Sequence, residues 1–90
     1  MKILEFSAPS WCFPCRQLAP RLKEECERIN IPLDVYDMDT DEGTEMAERY
    51  GIKSVPTIIA VDDDGVEIGR DYGSLAWKSV EYWMNVGVLE

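Results

Sequence analysis

Residues 11 to 15 read "WCFPC", with Cys12 and Cys15 separated by two residues. Such a pair can ligate a metal, close a static bridge, or exchange electrons with another disulfide. Two further groups have suitable chemistry: the thiol of Cys26 and the carboxylate of Glu5. Structural zinc takes four ligands, and a chain with no histidine and three cysteines in all supplies too few, so no metal site is expected. A bridge across so short a loop adds little stability, which leaves an inert disulfide as the weaker alternative to exchange.

The surrounding elements must position the pair. "KILEF" (2 to 6) reads as a buried strand ending in the turn cluster "SAPSW". Leu18, Leu22, Cys26 and Ile29 recur at helical spacing, predicting an amphipathic helix from about Pro14 to Ile29. Pro14 suits its first turn, where a missing N–H costs nothing, whereas Pro20 falls inside and removes the bond to the Arg16 carbonyl. "PLDVYDMD" (32 to 39) suggests a second strand. A short helix follows from about Glu42 to Tyr50, with Asp41 as its cap and Gly51 as its left-handed terminator. "TIIAV" and "VEIGR", joined by "DDDG", form a hairpin. The last helix is expected to start at Ser74 as N-cap, with Ala76, Val80, Trp83 and Met84 at core spacing and Trp77, Tyr82 and Trp83 supplying packing area.

The expected fold class is thus α/β: βαβ followed by ββα in one domain over residues 1–90, with a four-stranded mixed sheet and helices on both faces. The first strand lies near the centre, and its carboxyl end delivers "WCFPC" to a helix start. A helix N-terminus carries about half a positive charge, which stabilises a thiolate at Cys12 and lowers its pKa below the free value of about 8.5. Cys12 is then the nucleophile. Cys15, one turn further and more shielded, resolves the mixed disulfide, and Cys26 on the apolar stripe is a buried core residue.

Eighteen acids against nine bases give a net charge of -9, which repels a phosphate backbone or an anionic membrane and excludes nucleic acid as a partner. The acidic runs at 34 to 48 and 62 to 67 read as solvated surface. No apolar run approaches the roughly 20 residues of a membrane span, and Glu5 interrupts the stretch a secretory leader would need. An odd number of cysteines fits the cytoplasm better than an oxidising compartment. The expectation is a cytoplasmic monomer starting at Met1.

Three segments together resemble the thioredoxin family: "FSAPSWCFPCRQLAP" (6 to 20), "YGIKSVPTII" (50 to 59) and "DYGSL" (71 to 75). The resemblance implies a protein disulfide reductase that cycles between a Cys12–Cys15 dithiol and disulfide and needs no bound organic cofactor. It implies that Pro56 is a cis-proline facing the cysteines and that the backbone of Val55 pairs with an extended substrate segment. Trp11, Phe13, Val55, Pro56 and Gly73 would border the substrate groove. Implied partners are disulfide-containing proteins and an upstream donor, either a thioredoxin reductase or glutathione. Relative to full-length thioredoxins the chain lacks a preceding strand and helix, Phe13 replaces the usual glycine, and Glu5 stands at the position of a buried aspartate with no matching lysine. Glu5 is a proton acceptor for Cys15 if it is buried without a cation, and a plain strand residue if it points to solvent. Two other functions remain to be weighed: a glutaredoxin-like, glutathione-dependent oxidoreductase and a non-catalytic binding module. Proline before the second cysteine, rather than after the first, argues against the former, and the retained pair beside Trp11 and Pro56 argues against the latter.

Overall fold

The computed structural model describes residues 1–89, with side-chain surroundings through residue 86. The chain forms β1 (Lys2–Ser7), α1 (Phe13–Ile29), β2 (Leu33–Asp37), α2 (Asp41–Tyr50), β3 (Thr57–Val61) and β4 (Glu67–Tyr72). A 3-10 turn (Ala76–Lys78) then leads into α3 (Ser79–Leu89). The sheet order is β2-β1-β3-β4. β1 and β2 are parallel, while β3 runs antiparallel to both β1 and β4. The mixed four-stranded sheet and its element order are as the sequence pattern predicts.

Alternation along β1 divides the core between the two faces of the sheet. Ile3 joins Leu18, Leu22, Cys26, Ile58, Val80 and Trp83 in the layer under α1 and α3. Leu4 and Phe6 join Ala47, Ile59 and Val61 under α2. Full burial of each such Leu, Ile or Phe contributes about 1.5–3 kcal/mol, so both layers hold β1 at the centre. Glu5, between Leu4 and Phe6, is turned by the same alternation toward α1.

The helix ends show where local chemistry departs from expectation. α1 has Cys12 as its N-cap, carries Pro14 in its first turn, continues through Pro20, and ends at Asn30 in a left-handed conformation. α2 is capped by Thr40 rather than Asp41: the Thr40 Oγ1 accepts from the Gly43 N–H at 3.0 Å. Asp41 instead occupies the first turn, where its charge favours the helix dipole. Gly51 terminates α2 with φ 65°. Ser74 does not cap the last helix. The Ala76 N–H bonds to the Gly73 carbonyl at 3.1 Å, a 3-10 turn follows, and α3 proper starts at Ser79, whose hydroxyl donates to Asp71. Trp83 packs so closely on β4 that a Cβ at Gly69 would sit 2.4 Å from its Nε1. Tyr82, expected to supply packing area, faces solvent instead.

Candidate active site

β1 ends at Ser7, and a tight turn brings the cysteines to its carboxyl end. The N–H groups of Trp11 and Cys12 both donate to the Ala8 carbonyl, at 3.2 and 2.9 Å. Cys12 thereby becomes the first cap of α1, and its Sγ accepts from the Cys15 N–H at 3.2 Å. Cys12 and Cys15 are joined as a disulfide with their Cα atoms 5.2 Å apart. Cys12 keeps 6% of its surface exposed and Cys15 none. Ala8 covers the inner sulfur, its N–H 3.5 Å from Cys15 Sγ.

The opposite wall comes from the segment before β3. The Val55–Pro56 peptide bond is cis, and the Val55 carbonyl lies 3.9 Å from Cys12 Sγ. The Gly73 N–H donates to the Pro56 carbonyl at 3.0 Å, so the turn after β4 is tied to the same wall. Trp11, Val55, Met38, Ile52 and Lys53 line a groove of about 210 Å³ on the Trp11–Val55 side of the largely covered Cys12 sulfur. Trp11 is 64% exposed, yet its Nε1–H is held by Asp39 Oδ1 at 3.3 Å, and Ser10 donates to the other oxygen. A large ring fixed at its polar end is an exposed apolar surface with little conformational entropy left to lose.

Of the residues singled out in the sequence, Trp11, Cys12, Cys15, Val55, Pro56 and Gly73 come together here. Phe13 lies outside the Trp11 groove, exposed at the start of α1, with the Arg16 guanidinium 5.9 Å from its ring centre. Arg16 is itself anchored to the Pro9 carbonyl at 2.7 Å. Glu5 stands apart from the groove, in the layer between β1 and α1. It is 1% exposed, and its Oε2 has no hydrogen-bond partner. Burial pushes its pKa up to about 7. Cys26 shares that layer, and burial together with the nearby Glu5 and Glu25 carboxylates pushes its thiol up to about 11.

Sequence reasoning missed Ala8, Met38 and Asp39. Met38 packs against Ala8, Cys12 and Cys15, and Asp39 fixes Trp11. A signal for them existed: in a parallel β1–β2 pair the carboxyl ends lie side by side, which sets the "DMD" after Tyr36 next to "WCFPC".

Comparison with known proteins agrees with this geometry. The thioredoxin family profile matches residues 1–85. A thioredoxin from Bacillus subtilis (strain 168) is 38% identical over 64 residues, covering 71% of this chain and 61% of that protein. One from Rickettsia bellii (strain RML369-C) is 39% identical over 75 residues, covering 83% and 70%. Among solved structures, Fasciola hepatica thioredoxin superposes with a TM-score of 0.77 at 30% identity, covering 92% of this chain and 77% of the other. The chain spans about half to three fifths of the length of several curated thioredoxins that it matches.

Proposed function

Because the chain belongs to the thioredoxin family, we propose that it reduces protein disulfides through Cys12 and Cys15. The observation that carries this reading is the disulfide-linked pair at the start of α1, its outer sulfur facing the Val55 carbonyl and the Trp11 groove. In the reduced protein, the Cys12 thiolate is stabilised by the Cys15 N–H and the helix start. It attacks one sulfur of a substrate disulfide; that S–S bond breaks, and the other substrate sulfur leaves as a thiolate that takes a proton from water. Cys15, once deprotonated, attacks Cys12 Sγ and expels the second substrate thiolate. The Cys12–Cys15 disulfide forms, and the substrate has gained two electrons.

Glu5 is the proton acceptor for Cys15 in this reading. The support is its burial on the α1 side of β1, its unpartnered oxygen, and a pKa near 7 that lets it take and return a proton at neutral pH. Trp11, Val55, Pro56 and Gly73 hold the substrate segment, with the Val55 backbone as its hydrogen-bonding edge and Phe13 flanking the sulfur on the Arg16 side. The residues act as one domain, 1–90, needing no bound organic cofactor. Its partners are disulfide-bearing proteins and, upstream, a thioredoxin reductase, with glutathione as the competing donor. The buried thiol of Cys26, left unpaired, supports a reducing compartment, the cytoplasm, as its place. Among the described residues, no helix is long and apolar enough to cross a membrane.

Turnover of an insulin-type disulfide with dithiothreitol as electron source tests the reading. Cys12→Ser abolishes it, and Cys15→Ser accumulates a mixed disulfide at Cys12. Wild-type turnover no faster than dithiothreitol alone refutes disulfide reduction.

A further inference from the structure

A bulge in β4 brings two of its side chains together. Strand alternation alone would put Glu67 and Arg70 on opposite faces of the sheet. The β3–β4 register shifts between Ala60 and Val61, however, so that Arg70 lies opposite Ile59 and Glu67 opposite Val61. Ile59 and Val61 both belong to the layer under α2, so the extra residue turns Glu67 to the Arg70 side. There the carboxylate grips the guanidinium with both oxygens, accepting from Nε at 2.9 Å and from Nη2 at 2.7 Å.

The guanidinium so held caps the end of α2. Its Nη2 donates to the Tyr50 carbonyl at 2.5 Å and its Nη1 to the Gly51 carbonyl at 3.4 Å. The left-handed turn at Gly51 satisfies the carbonyls of Ala47 and Glu48 but leaves these two open, and a cation there also suits the helix dipole. From Gly51 the chain runs directly into the wall of the active site. Ile52, Lys53 and Val55 line the groove with Trp11, and the Val55 carbonyl faces Cys12 Sγ. Among the described residues, no backbone group of Lys53, Ser54 or Val55 bonds to another backbone group, so this wall is placed by its ends. The Thr57 hydroxyl, donating to the Ser54 carbonyl at 2.7 Å, and the Gly73 N–H on Pro56 hold the far end. The near end is held by the Ile52 N–H on Ala47 and, from outside the helix, by Arg70.

We propose that Arg70, aimed by Glu67, is a positioning residue for disulfide reduction: it fixes where Gly51 releases the 52–55 wall, and hence how the Trp11 groove and the Val55 edge meet a protein substrate. The inference rests on the reading of the chain as a protein disulfide reductase. Both carbonyls lie near solvent, so water can replace the guanidinium as their donor. Removing Arg70 then costs the wall its position more than it costs the chain its fold. Cys12 and Cys15 sit at the start of α1, outside these contacts, so their thiol chemistry stays as it was.

The test compares wild type with Arg70→Met and Glu67→Ala on two substrates. One is an insulin-type protein disulfide with dithiothreitol as electron source; the other is a small aryl disulfide, too short to span the groove, mixed with the pre-reduced protein. Thermal unfolding shows whether each variant is folded. Arg70→Met is expected to raise KM for the protein substrate several-fold with kcat within about twofold of wild type, and Glu67→Ala to raise KM by a smaller factor. The rate with the small disulfide should stay the same in both. An unchanged KM for the protein substrate in folded Arg70→Met, or equal losses on the two substrates, overturns the positioning role. Should Arg70→Met fail to fold, Glu67→Ala decides by the same criteria. A wild type that reduces the small disulfide but not the protein one overturns the underlying reading and this inference with it, a failure distinct from a variant that matches an active wild type.

Discussion

At Glu5 a single proton sets the balance between burial and charge. Its pKa lies near 7 against an ordinary 4.5, because desolvation penalises the carboxylate. The native chain therefore holds a proton that the unfolded chain has already lost. The stability this gives is fully present below about pH 4.5 and is lost as pH rises through about 7. Glu5→Gln, which stays neutral, should exceed wild type in urea denaturation by up to about 3 kcal/mol at pH about 8.5, with little difference at pH about 4. In the reading of Glu5 as proton acceptor, the same variant slows mixed-disulfide resolution and flattens its pH profile near 7; an unchanged rate across pH would remove that role. Cys26 offers a second check. Buried and with its thiol raised to about 11, it should resist iodoacetamide in the folded, reduced protein, while Cys12 is alkylated and mass spectrometry finds a single adduct. Both carboxyl and thiol were visible in the sequence, but alternation alone could not fix the face of Glu5, because all of β1 beyond its first residue is buried.

The elements were legible wherever periodicity or a backbone constraint was strong. The stripe Leu18, Leu22, Cys26 marked α1, and Gly51 marked the end of α2. Caps were harder, because several polar residues compete at each helix start and only the one that reaches an open N–H wins. Thr40 took the role expected of Asp41, and removing its hydroxyl in Thr40→Ala should cost about 1 kcal/mol in thermal or urea unfolding. Gly43 is more demanding. A Cβ there would sit 1.9 Å from the Asp37 carbonyl, so the start of α2 meets the end of β2 backbone to backbone. Gly43→Ala must push α2 away from the end of β2, just before the turn that supplies Met38 and Asp39, and a loss of several kcal/mol is expected, beyond the usual overpacking cost of about 1–3 kcal/mol. Nothing in "DEGTE" signals that contact, which is set by how two elements distant from "WCFPC" dock.

At the scale of the whole molecule, composition told most about charge and least about position. A net charge of -9 repels itself in the compact state, so stability should rise as salt increases from a low value toward physiological strength. The same field acts on encounters. Disulfide substrates flanked by basic residues should be reduced faster than acidic ones, and the difference should shrink as salt screens it over about 8–10 Å. Initial rates measured against ionic strength check this; rates insensitive to salt for both substrates would count against it. The three motifs of the resemblance fell at one end of the sheet, as their order implied. The grooves on the two faces of the sheet left no mark in the sequence, since they arise from how strands and helices pack and not from any run of residues.

The placement of Trp11 has an optical consequence. Its indole stands 64% exposed beside Cys12 with its N–H tethered to Asp39, whereas Trp83 is buried over β4. A substrate settling into the groove must dehydrate the first indole and leave the second as it was. In a Trp77→Phe background, a blue shift of emission on mixing with substrate would then belong to Trp11 alone, so the ring proposed to hold a partner would also report its arrival in real time, without an added dye.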